Sequence, residues 1–342
     1  MKQKILIITL FLSFLFLLVY SFIEVHKYIY TFTPFPIQPL VILAPALTIL
    51  GLLLLTSKRT LLTRKIVQFS FIWSVPPYIL ALLLYLTTII PVPTSYAPAL
   101  TILLSTYMYT KARDHKHRQV KILSKKDSDL RIAHITDIHL GDIWGRKELQ
   151  RIVDDVNEQE PDITVITGDV SDGMEEVDAD QYTPLSHLEM PSYFVTGNHD
   201  TYTSQKAVLR KLEQNKVTIL NNEVVHLSKL TLAGISYGDT EKQLLNHKEP
   251  IPSHKPFILL QHEPKNIDVL KPDLVLSGHV HDGQIWPLKY FAKIQFQYIN
   301  GLYKEEDKNV YVSSGTKTWG PPYRLGTKSE LTTFSFIPSK KE

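Results

Sequence analysis

The sequence predicts a bundle of apolar helices followed by an alternating α/β domain. Three observations carry that reading. Charge is unevenly divided: residues 1–121 hold 12 Lys/Arg against 2 Asp/Glu, whereas residues 122–342 hold 25 against 32. Long uncharged runs fill the first third of the chain. From about residue 129, short β-rich runs alternate with amphipathic helical stretches. The 342 residues suffice for about two units. The absence of cysteine excludes a disulfide framework, a thiolate metal site and a cysteine nucleophile.

In the first third, Ile5 to Ile23 is uncharged, as are Tyr28 to Ser57 and Ile66 to Thr110. About 20 helical residues cross a hydrocarbon core of about 30 Å. The runs therefore predict spans at about 5–23, 37–55, 69–90 and 96–110, with Pro91-Val92-Pro93-Thr94-Ser95 as the last turn. Four spans place every basic cluster on one side: Lys2 and Lys4, then Lys58, Arg59, Arg64 and Lys65, then Lys111 to Lys121. The expectation is a transmembrane anchor over 1–110 in a multi-pass bacterial inner (cytoplasmic) membrane, and a basic juxtamembrane linker over 111–128 against the lipid bilayer. A domain over 129–342 would then lie on the cytoplasmic side.

In that domain the apolar runs Leu130–Thr136, Ile163–Thr167, Ser192–Thr196, Phe257–Leu260 and Leu274–Ser277 predict strands. Arg146–Gln159 and Ser204–Asn215 place their apolar residues at helical spacing. Further strands are expected at Thr218–Leu227, Leu230–Ser236, Val310–Ser313 and Leu331–Ile337. About 215 residues are enough for one compact α/β core.

Each of the five main strands ends in polar residues. They are Thr136-Asp137-Ile138-His139, Gly168-Asp169, Gly197-Asn198-His199-Asp200, Gln261-His262-Glu263 and Gly278-His279-Val280-His281. Ligands of α/β sheets bind outside the carboxyl ends of the strands, so these residues share one edge. Carboxylate and amide oxygens with imidazole nitrogens suit hard-to-borderline divalent ions. Asp137, His139, Asp169, Asn198, His262, His279 and His281 exceed one tetrahedral site and match two adjacent metals that share a carboxylate. Such pairs suit in-line phosphoryl displacement.

In this order the residues Asp137-x-His139, Gly168-Asp169, Gly197-Asn198-His199-Asp200, His262 and Gly278-His279-x-His281 resemble the calcineurin-like metallophosphoesterase superfamily. The resemblance covers about residues 130–340 and implies a four-layer α/β/β/α sandwich. It implies that Asp137, His139 and His281 bind a first metal, with Asp169 bridging, and that Asn198, His262 and His279 complete the second. It gives His199 the role of stabilising or protonating the leaving oxygen, and Asp200 that of orienting His199. The expected cofactors are two divalent ions, Mn²⁺ foremost, with Fe, Zn²⁺ or Mg²⁺ as alternatives.

The stretch from Gly278 to Gln284, with Asn300-Gly301-Leu302-Tyr303, Ser314-Gly315 and Trp319-Gly320-Pro321-Pro322-x-Arg324, resembles the membrane-associated YkuE/YaeI-type phosphoesterases. Val280 and Asp282 depart from that group's His-Thr-His-Gly-Gly-Gln. Arg324 is a candidate phosphate clamp, because its guanidinium can grip two oxygens at once. A metal site just beyond a basic membrane flank suits a substrate with an acyl anchor and a phosphate or pyrophosphate head, so a lipid-linked phosphate or nucleotide is expected, and the resemblance makes UDP-2,3-diacylglucosamine in lipid A synthesis the specific expectation. Another phospholipid, a soluble phosphodiester, or a non-catalytic membrane-tethered scaffold are the alternatives. The acidic balance of the domain argues against a nucleic-acid partner.

Overall fold

The structure is a computed structural model. It describes residues 60–338 apart from 125, 127–128, 247–251, 266–269 and 306–307. The chain divides into two compact units, residues 1–110 and 111–342.

In the first unit the described residues form α1 (Leu61–Trp73), α2 (Pro76–Ile89) and the start of α3 (Tyr96–Arg113). Thr60 caps α1 by accepting from the Thr63 amide, and Thr63 returns the bond to Thr60. No helix among the described residues is long and apolar enough to cross a membrane. That overturns the expected spans at 69–90 and 96–110, and with them the bundle of transmembrane helices and the multi-pass membrane placement. The physical reason is local. The Pro76-Pro77 pair starts a new helix and separates α1 from α2. The 14 residues of α2 reach about 21 Å. α3 has 18 residues, but Thr101, Ser105, Lys111 and Arg113 dilute its apolar content. The expected spans at 5–23 and 37–55 lie outside the described residues.

The second unit is a four-layer sandwich. One sheet contains β1 (His115–Ser124), β2 (Leu130–Ile135), β3 (Ile163–Thr167), β4 (Ser192–Val195), β5 (Val217–Ile219) and β12 (Ser329–Pro338), in the order β1-β12-β2-β3-β4-β5. β2 to β5 run parallel, and β12 is antiparallel to β2. The other sheet contains β6 (Glu223–His226), β7 (Thr231–Gly234), β8 (Phe257–Leu260), β9 (Leu274–Ser277), β10 (Gly301–Lys304) and β11 (Asn309–Val312), in the order β10-β11-β9-β8-β7-β6.

Each layer follows from side-chain placement. Ile132, Val165 and Val195 of the first sheet meet Leu232, Leu260 and Leu276 of the second in a fully buried middle layer. On the outer face of the first sheet pack α4 (Arg146–Asn157) and α6 (Gln205–Gln214), through Leu149, Ile152, Val153, Val156, Val208 and Leu212. The outer face of the second sheet is covered by a 3₁₀ helix over Glu241–Asn246, which contributes Leu244, by a short helix over Lys289–Gln295 through Ala292, and by Tyr298 and Ile299.

Two differences from the sequence reading have clear causes. Residues 115–124, expected within a linker, form β1, because Val120, Ile122 and Ser124 turn inward on alternate positions beside β12. The single strand expected at 218–227 is two strands in different sheets. Asn222 adopts φ 59° between them, a left-handed turn that asparagine tolerates.

Candidate metal centre

The polar residues stand where the parallel strands end. Asp137 and His139 follow β2, and Asp169 follows β3. Asn198 follows β4 and begins α5 (His199–Tyr202). His262 follows β8, and His279 and His281 follow β9. Five of these residues hold positive φ: Asp137 (54°), His139 (52°), Asp169 (53°), His279 (73°) and His281 (53°). Left-handed backbone costs a non-glycine residue about 1–3 kcal/mol, and such cost gathers at functional sites. The turns also bring backbone against the donors. A Cβ on Gly197 would stand 2.1 Å from Asp169 Oδ1, and one on Gly278 would stand 2.3 Å from Asp137 Oδ2. Only glycine fits at either place.

The donors converge in two clusters. In the first, His139 Nε2 and His281 Nε2 lie 3.2 Å apart, and His281 Nε2 is 3.2 Å from Asp137 Oδ1. In the second, His262 Nε2 lies 3.1 Å from Asn198 Oδ1 and 3.2 Å from His279 Nδ1. Asn198 Oδ1 is 3.0 Å from His279 Nδ1. Asp169 Oδ2 belongs to both, at 3.2 Å from His262 Nε2 and 3.9 Å from His139 Nε2. Ring nitrogens that face one another across about 3 Å cannot all donate. A shared cation satisfies every lone pair at once, so the donor set fits metal. All seven ligand positions expected from the sequence are brought together.

Surrounding groups aim these donors. His262 Nδ1 donates to the Thr167 carbonyl at 2.7 Å, which leaves Nε2 to face the cluster. Thr136 Oγ1 lies 2.9 Å from Asp137 Oδ2 and donates to it, and the His279 amide donates to both oxygens of Asp137. The His199 amide donates to Asp169 Oδ1, so Oδ2 is the oxygen turned to the donors.

The site's electrostatics suit cations. Burial would raise Asp137, but His281, His262 and His139 hold its carboxyl well below the usual range. Burial likewise opposes ionisation of Asp169, yet His262 and His139 bring it down to about 2. Burial pushes His139 well below its ordinary value and His279 to about 4, which favours neutral rings with lone pairs to offer. His262 is the exception. Burial lowers it, but Asp169 and Asp137 outweigh that and raise it to about 10.

The remaining sequence candidates have other surroundings. His199 Nδ1 meets the Asp172 carbonyl at 2.5 Å, which leaves Nε2 as the free ring nitrogen. Its ring is 4.9 Å from His139 and 5.6 Å from Trp319. Asp200, expected to orient His199, accepts instead from the amides of Asp169, Ser171 and Gly197 at 2.8–3.0 Å. It ties the Asp169 turn to the Asn198 turn, and the Asp172 carbonyl orients His199. Arg324 is fully buried. Its guanidinium donates to the carbonyls of His281, Ser314 and Lys317 and to the Ser329 hydroxyl. These bonds aim it into the loops behind His281, in place of a phosphate. Asp282 accepts from Asn300 Nδ2 at 3.2 Å. The sequence reading passed over Thr136, Thr167 and the Asp172 carbonyl. Thr136 sits inside a quoted strand-end motif and Asp172 lies three residues beyond another, but no local pattern marks which oxygens turn inward.

A buried site of shared carboxylate and imidazole donors, at the strand ends of an α/β/β/α sandwich, defines a metal-binding hydrolase class. The calcineurin-like phosphoesterase family model matches residues 130–283. A metallophosphoesterase of Aquifex aeolicus is 31% identical over 216 residues, which cover 58% of this chain and 82% of that one. The chain belongs to the calcineurin-like phosphoesterase family. It is also similar to a Helicobacter pylori metallophosphoesterase, 36% identical over 236 residues, covering 64% of this chain and 63% of that one. A bovine transmembrane protein with a metallophosphoesterase domain is 38% identical over 237 residues, covering 60% and 52%. The chain thus spans about half to two thirds of the length of these two relatives.

Proposed function

We propose that the protein is a dinuclear-metal phosphodiesterase or pyrophosphatase acting on a lipid-linked phosphate ester or nucleotide. The observation that carries this reading is the pair of donor clusters joined through Asp169 Oδ2. Asp137, His139, His281 and Asp169 would hold one divalent ion, and Asp169, Asn198, His262 and His279 the other. Ions held there supply positive charge to phosphoryl oxygens and acidify water near neutral pH. Manganese is the expected metal, given oxygen and imidazole donors without thiolate.

The chain's own residues supply the rest. His199, with Nδ1 committed to the Asp172 carbonyl, presents Nε2 for a proton at the leaving oxygen. Asp200 holds the Asp169 and Asn198 turns in one arrangement through three amides, so the two clusters keep their spacing. Trp319, half-exposed beside His199, supports an amphiphilic substrate by offering apolar surface next to the reacting phosphate. UDP-2,3-diacylglucosamine has that chemistry: an acylated sugar joined to a nucleotide through pyrophosphate. The likeness of the Gly278–Gln284 and Trp319–Arg324 stretches to YkuE/YaeI-type enzymes points the same way.

The test is hydrolysis by purified protein with Mn²⁺, following UMP release from UDP-2,3-diacylglucosamine beside cleavage of bis-p-nitrophenyl phosphate. Both activities are expected, and both are lost in Asp169→Asn together with bound metal. Cleavage of the chromogenic diester alone would remove the lipid-linked substrate. Full activity in the Asp169 variant would remove the shared carboxylate.

A further inference from the structure

Between Gly283 and Lys304 the chain carries Lys289, Lys293 and Lys304 and no acidic residue, inside a region where acids outnumber bases. Within this stretch lies α7 (Lys289–Gln295), a helix that buries none of its residues. Its small residue, Ala292, and the following Phe296 pack against the outer core layer. Its large apolar residues point the other way: Ile294 is 84% exposed and Phe291 66% exposed, with Tyr290 also open. Trp286 and Leu288, just before the helix, are half-exposed as well. An ordinary surface helix turns its bulky apolar side chains inward. Here that arrangement is reversed, over a contiguous segment.

The segment adjoins the metal centre. Phe296 lies edge-on to the His279 ring at 5.5 Å. Gln284 bonds the Trp319 amide and the Trp319 and Pro321 carbonyls. The Trp286 amide bonds the Leu325 carbonyl. Trp319 and Trp286 are thereby fastened to one framework, with His199 beside the former. Lys289 and Lys293 each place Nζ within 6 Å of the Tyr290 ring centroid. Positive charge is therefore interleaved with the exposed apolar side chains.

We infer that Trp286–Ile294, with Trp319, docks on the surface of an anionic phospholipid bilayer. Two features select that occupant. Tryptophan and tyrosine pair an apolar ring with a polar group, which suits the headgroup boundary. Asp282, just before the stretch, faces Lys289, but the stretch itself holds no acid, so its lysines complement anionic headgroups, and their stems lie flat while the ammonium reaches phosphate. A helix of seven residues is too short to span. It lies in the interface and brings the mouth of the metal centre against headgroups. The docking does not depend on which phosphoester is cleaved.

The chain's lack of cysteine makes the test direct. Full-length Ile294→Cys carries a nitroxide label and is mixed with phosphatidylcholine vesicles, with or without phosphatidylglycerol. Glu213→Cys on the exposed face of α6 is the control. With phosphatidylglycerol, the label at 294 should become accessible to oxygen in the lipid and shielded from a water-soluble nickel chelate, while the label at 213 stays in water. Each lysine near an anionic surface contributes about fivefold to binding, so Lys289→Glu with Lys293→Glu should weaken that response by roughly 25-fold or more. Bis-p-nitrophenyl phosphate hydrolysis should be unchanged in Ile294→Ser. A label at 294 as nickel-accessible as the control overturns the docking. So does shielding from nickel without gain of oxygen, which would mean protein covers the face, whether a second copy or another segment of this chain.

Discussion

Replacing Arg324 by methionine separates two roles for a buried guanidinium. In the structure its Nη2 donates to the Ser314 carbonyl at 2.6 Å and the Lys317 carbonyl at 2.9 Å. Its Nη1 donates to the His281 carbonyl at 3.2 Å, and Nε to Ser329 Oγ at 2.9 Å. Methionine keeps the apolar stem and removes every donor. A hydrogen bond to a charged group contributes about 1.5–3 kcal/mol, and an orphaned buried carbonyl costs a similar amount. Three carbonyls and the hydroxyls of Ser329 and Thr327 lose this partner, while the cost of burying a cation is relieved. The net loss should be about 4 kcal/mol, in the range seen when one member of a buried charged network is deleted. For a unit of this size that lowers Tm by about 8–16 °C. His281 also loses the bond that holds its carbonyl, so affinity for Mn²⁺ should fall with stability. The assay is thermal denaturation of the metal-loaded protein, with a Mn²⁺ titration and steady-state hydrolysis of bis-p-nitrophenyl phosphate. At saturating Mn²⁺ the loss should appear in kcat, with KM little changed. An unchanged Tm with a raised KM would refute this reasoning and return Arg324 to a substrate clamp.

Two further outcomes follow from the same geometry. Gly197→Ala places a Cβ 2.1 Å from Asp169 Oδ1, so metal content measured by mass spectrometry should drop while the circular dichroism spectrum is retained; normal metal content would show that the turn can shift. His262 is raised to about 10, so without metal it is charged at pH 7, with Nδ1 bonded to the Thr167 carbonyl and Nε2 beside Asp169. A cation must displace that proton. Mn²⁺ uptake should therefore release about one proton at pH 7, read by calorimetry in buffers of differing ionisation enthalpy, and affinity should fall as pH drops. In the metal-free protein this raised group stabilises the fold fully below about pH 6.5, and that stability is lost as pH rises through about 10. Absence of proton release, or release that persists in His262→Gln, would count against the assignment.

The candidate site was largely legible because most of its candidate ligands follow directly after a strand. Asp137, Asp169, Asn198, His262 and His279 each sit within about three residues of an apolar run, and a parallel sheet sends such ends to one edge. The roles of Asp200 and Arg324 were not legible. Asp200 accepts from an amide 31 positions away, and Arg324 donates to a carbonyl 43 positions away. Only packing decides which way such side chains turn. α7 was missed for a related reason: a short helix with aromatics facing outward has no apolar stripe to reveal it. In the first unit the uncharged run from Ile66 to Thr110 suggested two spans. Uncharged composition does not require unbroken helices, and Pro76-Pro77 divided them.

Neighbours along the chain were enough to mark the seven candidate ligands, the strands that carry them, and the glycines that let backbone close on the donors. These depend on periodicity, turn residues and the lack of a Cβ. Tertiary structure alone decided that one oxygen of Asp169 lies between two clusters and that Arg324 braces His281 from behind. It also decided that α7 turns its large side chains outward. Those outcomes depend on distances between segments far apart in sequence, which the sheet and its packing set.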